Sequence, residues 1–136
     1  MKRIHLPVVL VLVLALLAAC GGGGSTSTGS GSTGGSGNVD AGKALFAQQT
    51  IGANAGCISC HSLDGSKLVG PTMKGIGTRA GKEVQGESAD LYIRNSILEP
   101  NAHAPSGYAV GVMPGYKGVV SDAQLNDLVA YLLSLK

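Results

Sequence analysis

Five consecutive residues, Cys57-Ile58-Ser59-Cys60-His61, constrain this 136-residue chain more than any other stretch. Two thiols three positions apart, with a histidine directly after the second, have the spacing of a c-type haem attachment site. On a short helix each thiol can form a thioether with a haem vinyl group, and the histidine then lies under the iron and supplies its proximal nitrogen. A chain that holds one covalent haem c in this way must fold around it. Two other readings compete. A redox dithiol calls for a βαβ setting that the surrounding sequence does not offer. Cys57, Cys60, His61 and His103 could form a Cys₂His₂ zinc site, but structural zinc sites usually divide their ligands into two separated pairs.

The N-terminus reads as an export signal over residues 1–19. Lys2 and Arg3 supply a positive start, and residues 8–17 an apolar run. That run is shorter than the roughly 20 apolar residues of a membrane span. It ends in Leu17-Ala18-Ala19-Cys20, which resembles the lipobox of bacterial lipoproteins. The resemblance implies cleavage before Cys20, acylation of that cysteine and a lipid anchor in a membrane. An ordinary signal with a small-residue cleavage site is the alternative. Residues 21–37 are Gly, Ser and Thr only and provide nothing from which to build a core, so a flexible tether is expected behind Cys20; with the lipidation that the resemblance implies, 20–37 is a lipidated cysteine and its linker. Random-coil scaling gives that tether a span of roughly 23 Å and a contour limit of ~55 Å.

Residues 38–136 form one small domain. Without Lys2 and Arg3, the ten basic side chains of the whole chain fall to eight and equal the eight acidic ones. No basic patch argues for nucleic acid as a partner or for electrostatic capture of an acidic one. With one Phe, four Tyr and no Trp, the apolar side chains alone make a thin core, and a buried haem supplies the missing apolar volume.

Alternating strand patterns are absent. A first helix is expected over about 39–49, capped by Asn38 or Asp40 and carrying Leu45 and Phe46. A second fits 89–98, with Leu91, Ile93, Ile97 and Leu98 as cover and Pro100 as its stop. The last helix opens on the capping box Ser121-Asp122-Ala123-Gln124, and Leu125, Leu128, Val129, Leu132 and Leu133 follow at helical spacing.

Four motifs in this order resemble the class I cytochromes c, over almost all of 38–136. Gly42, Leu45 and Phe46 look like the N-terminal helix that crosses the C-terminal one, with Gly42 allowing close approach and Phe46 packing near Tyr131. The haem motif follows. Gly70-Pro71 with Thr72, Met73 and Gly75 looks like the loop that holds the proximal histidine, and Val112-Met113-Pro114 like the distal ligand segment. The resemblance implies an all-α fold of small helices around one haem. It implies iron ligation by His61 and Met113, a Pro71 carbonyl accepting from the His61 ring, and Met73 packing beside the haem. Such a bond to the ring fixes its orientation and raises ligand basicity. His103 is a possible competitor for the iron, but its Pro-flanked polar loop favours a surface histidine. Arg79 is a candidate propionate partner, because its fork suits a carboxylate; Tyr92, Asn95 and Tyr108 could donate there or simply lie at the surface. Residues 47–56 separate Phe46 from Cys57 further than is usual in small members of the family, which suggests an inserted surface loop near the haem edge.

Histidine–methionine ligation leaves no open iron position and raises the potential, so single-electron transfer is the expected function, with no autonomous enzyme activity. The expected setting is the outer face of the cell membrane, lipid-anchored, with redox proteins as partners. Two arrangements are open: a mobile tethered carrier, or a subunit of a multi-subunit respiratory or photosynthetic complex. For the second, the 92–114 region looks like cytochrome domains of haem–copper oxidase subunits, and a lipid-anchored mono-haem domain is similar to the mono-haem subunit of alternative complex III. A haem-based gas sensor, in which Met113 yields to a small ligand, and a non-haem metal-binding lipoprotein are the readings from other classes.

Overall fold

Asn38 starts the first helix. Its side chain accepts from the Ala41 N–H at 2.9 Å, filling one of the donors that a helix start leaves free, and its own N–H donates to Asp127 Oδ1 at 2.7 Å. The computed structural model describes residues 37–136. The expected signal segment, Cys20 and the tether up to residue 36 lie outside the described residues.

The elements in chain order are α1 (Val39–Phe46), a two-stranded hairpin of β1 (Thr50–Ile51) and β2 (Asn54–Ala55), a 3₁₀ turn (Cys57–Ser59), α2 (Ile76–Arg79) running into a second 3₁₀ turn (Ala80–Lys82), α3 (Ala89–Leu98) and α4 (Asp122–Ser134). Helices α1 and α4 make the most extensive contact between elements. A glycine permits it: a Cβ on Gly42 would collide with the Asp127 carbonyl of α4. Across the crossing the Phe46 and Tyr131 rings sit 5.6 Å apart, tilted by 58°, within the range favoured by aromatic pairs. Phe46, Leu128 and Val129 are the largest side chains sealed from solvent.

Helix α4 opens as its sequence indicates, with both halves of the capping box formed between Ser121 and Gln124, and α3 covers the expected ten residues behind a Ser88 cap. The first helix is shorter than its expected range. It ends at Phe46, and the Ala47 N–H closes it onto the Lys43 carbonyl.

The chain then turns through Gly52 (φ 60°), and Thr50 pairs with Ala55 and Ile51 with Asn54 in antiparallel register. The stretch lies largely at the surface and reaches the cavity, as expected, but it is an ordered hairpin. Ile51 is buried, Asn54 Nδ2 donates to the Gly115 carbonyl at 3.3 Å, and the Tyr116 hydroxyl donates to the Ala55 carbonyl. The insertion is therefore a small hairpin bound to the segment after Met113. No helix of the described residues is long and apolar enough to cross a membrane.

Candidate functional site

The hairpin delivers the chain into the motif. The Gly56 N–H donates to the Gln49 carbonyl at 2.7 Å, and a Cβ on Gly56 would strike the Gln48 carbonyl, so only glycine lets the chain pass this close. Ser59, Cys60 and His61 then donate their N–H groups to the Gly56 carbonyl or the Cys57 carbonyl at 3.0–3.2 Å. This tight turn brings Cys57, Cys60 and His61 to one cavity. Burial pushes the Cys57 thiol up to about 11. A redox or nucleophilic cysteine needs the opposite displacement, since the thiolate is the reactive form; the environment does not suit a dithiol.

His61 is held from two sides. Its Nδ1 lies 2.7 Å from the Pro71 carbonyl oxygen. A carbonyl only accepts, so Nδ1 carries the proton and the lone pair is left on Nε2. Burial lowers the affinity of the ring for a second proton, against the opposing pull of the Pro71 carbonyl, and a neutral imidazole is the form that binds a metal. On the other side Gly70 lies flat against the ring, where an added Cβ would stand 2.5 Å from Cε1. Neighbouring backbone is laced across the same gap: Gly70 N–H to Cys60 carbonyl at 2.9 Å, Met73 N–H to Ser62 carbonyl at 2.8 Å, and Thr72 Oγ1 to that Ser62 carbonyl at 3.2 Å.

The cavity has a volume of about 600 Å³, within the range of roughly 300–1,000 Å³ typical of small-molecule and cofactor sites. Its walls are mainly apolar, with Phe46, Ile93 and Leu128 from three helices. Two thiols, a neutral imidazole with one nitrogen free, a thioether and apolar walls are the donor set and surroundings that a covalent haem requires. Among the described residues no three His, Cys, Asp or Glu side chains are grouped to hold a metal ion, so the zinc reading gains no support.

Both described methionines line the cavity. Met73 is buried and belongs to the stretch hydrogen-bonded beside His61. Met113 is half-buried and lies on the excursion between α3 and α4. Arg79 reaches the cavity, but its guanidinium donates to the Thr72 and Lys74 carbonyls, and its Nε lies 3.6 Å from Glu83. It thereby braces the loop that presents Pro71. Tyr92 is buried in the cavity wall, where burial raises its phenol and Glu83 adds to the effect. Tyr108 is a half-buried wall residue, whereas Asn95 is exposed and donates to Glu87 at 3.0 Å. His103 is exposed yet borders the cavity.

Three contributors carried no readable signal in the sequence. The Tyr116 hydroxyl ties the hairpin to the residues after Met113. Ser62 is buried, and its carbonyl takes two hydrogen bonds. Gly77 lets α2 meet the end of α4, where a Cβ would strike the Leu133 carbonyl.

Among the described residues, four helices with little strand, closed around an apolar cavity that carries the haem-attachment turn, define a covalent haem protein of the all-α class I type. Residues 39–136 match the cytochrome c family, and the chain belongs to it. It is 26% identical over 110 residues to a cytochrome c of Tetrahymena pyriformis, covering 73% of this chain and 90% of that protein. It is 31% identical over 92 residues to cytochrome c6 of Synechocystis sp., covering 68% of this chain and 61% of the relative. A third relative, cytochrome c-type cyt cy of Rhodobacter capsulatus, is 26% identical over 107 residues, which is 74% of this chain and 50% of that protein. The family carries covalent haem c, one haem fits a domain of this size, and its members are electron carriers rather than enzymes.

Proposed function

We propose that this chain is a membrane-tethered mono-haem cytochrome that passes single electrons as a subunit of a respiratory or photosynthetic membrane complex. Cys57 and Cys60 hold the haem, and His61 and Met113 ligate its iron. The observation that carries the ligand assignment is the 2.7 Å contact between His61 Nδ1 and the Pro71 carbonyl, which orients the imidazole and leaves Nε2 for the metal. Met73 is bound by its backbone to the residue next to His61, so it belongs to the proximal wall. Met113 is then the remaining described thioether at the cavity. With both axial positions filled by protein, the haem supplies reversible one-electron chemistry with little ligand rearrangement. Pro71 and Gly70 keep the imidazole in place, and the apolar walls exclude water.

The tether reading rests on Cys20, which would carry the acyl chains at the outer face of the membrane, and on the Gly/Ser/Thr run that follows it. The balanced charge of the mature chain, eight basic against eight acidic side chains, gives weak long-range steering, which favours a docked subunit over a diffusing carrier. Mass spectrometry of denatured protein should find one haem per chain, and Cys20→Ser should release a soluble cytochrome or leave an unprocessed precursor. Removing about ten tether residues separates the two arrangements, because a swinging carrier loses effective concentration once its tether no longer spans donor and acceptor. Turnover that survives the deletion, with the domain still co-purifying with a complex, supports docking. Turnover lost with binding intact supports the carrier.

A further inference from the structure

We propose that His103 is a reserve axial ligand of the haem iron, taking the sixth position when Met113 leaves it. The inference rests on the reading of Met113 as the resident ligand. His103 and Met113 share one excursion of chain between α3 and α4, and both border the haem cavity. His103 also borders a smaller adjoining cavity of about 160 Å³, with Tyr92 and Ser96 common to both. The imidazole therefore stands at the boundary between two spaces. It is exposed, and its ring meets Tyr92 edge-on at 5.9 Å and 71°, a weak contact beside a coordination bond.

The backbone permits movement of this tip. The excursion is fixed at its root by Tyr116 N–H to the Ile97 carbonyl at 3.0 Å and by Lys117 to Glu99 at 2.8 Å. Higher up, Gly111 N–H meets Asn101 Oδ1 at 2.7 Å. Within the loop that this crossing closes, Gly107 takes φ of 85°, and Gly111 at the crossing takes 82°, both with nothing near their Cα substituent positions. Gly107 is the residue of this tip whose backbone can change conformation at least steric cost.

The chemistry favours such an exchange in the ferric state. Thioether is a soft ligand and imidazole a harder one, so oxidation of the iron weakens the claim of Met113 relative to that of His103. The exchange breaks one iron–sulfur bond and forms one iron–nitrogen bond. Imidazole binds a metal through the lone pair of its neutral form, and the exchange transfers no electron.

The test uses ferric holoprotein carrying Met113→Ala, alone and combined with His103→Ala. The single variant should lose the sulfur-to-iron charge-transfer band yet stay low-spin, with an electron paramagnetic resonance signal of two axial nitrogens. The double variant should turn high-spin and bind added imidazole at least tenfold tighter than the single one, because no internal ring competes. A single variant that loses the band, turns high-spin and binds imidazole equally with or without His103 overturns this proposal and leaves Met113 as the resident ligand. A band that persists in Met113→Ala overturns both. Should Met113→Ala fail to mature, the chain with Met113 intact is titrated with guanidinium below its unfolding midpoint. A low-spin, sulfur-free form that becomes high-spin in His103→Ala supports the reserve role, and identical behaviour of the two chains refutes it.

Discussion

The cavity has two walls made of different kinds of chain. Around His61, residues 57–79 are stitched to themselves at short range: the turn closes on Cys57, the 70–73 strip bonds to Cys60 and Ser62, and Arg79 braces the carbonyls of Thr72 and Lys74. Around Met113, the 98–116 excursion is tied at its root and at one crossing, and it leaves Val110 and Val112 more than half exposed. The first wall holds His61 through the Pro71 carbonyl and through hydrogen bonds among its own backbone groups. The second has fewer such ties, and under the proposed ligation an iron–sulfur bond to Met113 would add to them. One wall is tied to itself throughout and the other mainly at its base.

The largest expected effect removes the group on which both walls close. Cys57→Ala/Cys60→Ala leaves an apolar cavity of about 600 Å³ facing water in a domain with few large side chains. Domains of this size keep only about 5–15 kcal/mol of net stability. The variant should lose its cooperative thermal transition and much of its helical circular dichroism. A sharply melting, haem-free variant would show that the α1–α4 pair suffices alone.

The two methionines test the division of labour next. Met73→Ala empties a buried position of the stitched wall and should cost about 2–5 kcal/mol, read as a lower denaturation midpoint, while the charge-transfer band survives. Met113→Ala should abolish that band, with a smaller loss of stability because the side chain is half-buried. The opposite pattern would exchange their roles.

Two glycines extend the contrast. A Cβ on Gly70 meets the His61 ring at 2.5 Å, so Gly70→Ala should cost about 1–3 kcal/mol by overpacking and shift the reduction potential through the displaced imidazole. Gly111→Ala meets no atom, and its cost is the left-handed backbone alone, about 1–2 kcal/mol. It should leave the potential nearly unchanged. Equal shifts in potential would mean that the walls are not separable.

What was legible in the sequence follows from the range of the interactions. The haem motif, the Ser121 capping box and the helical spacing of α4 are local, and all three appear in the structure where the residues indicated. The end of α1 was misjudged because Ala47, Gln48 and Gln49 are acceptable helix residues; Ala47 instead closes the helix and the chain turns away. The hairpin was missed because two-residue strands offer no alternation to count, and its partners Gly115 and Tyr116 lie 61 residues away. Arg79 was legible as a residue of the site, but its grip on the Thr72 and Lys74 carbonyls depends on a fold around the Pro71 loop that no local pattern encodes.

The smallest expected effect is on the root of the Met113 excursion, where Lys117 pairs with Glu99 at 2.8 Å and both side chains are well exposed. The Lys117 hydrogen bond and charge lower the Glu99 carboxyl below its ordinary range, and Glu99 raises the Lys117 amine by the same two causes. A depressed carboxyl stabilises the folded form above its unfolded value and loses that contribution as pH falls through the folded one. A raised amine contributes below its unfolded value and loses the contribution as pH rises through the folded one. The root should therefore loosen at both ends of the pH range and stay closed through neutrality. Exposed pairs are weak and screened by salt, so the signature is a modest fall in the sulfur-to-iron band at acid and alkaline pH, smaller at high ionic strength. Lys117→Gln should lower the band slightly at neutral pH and flatten both limbs, while the signals of the His61 ring stay in place. If both limbs persist unchanged in that variant, the pair does not close the excursion, and Tyr116 and the Asn101 crossing carry its root alone.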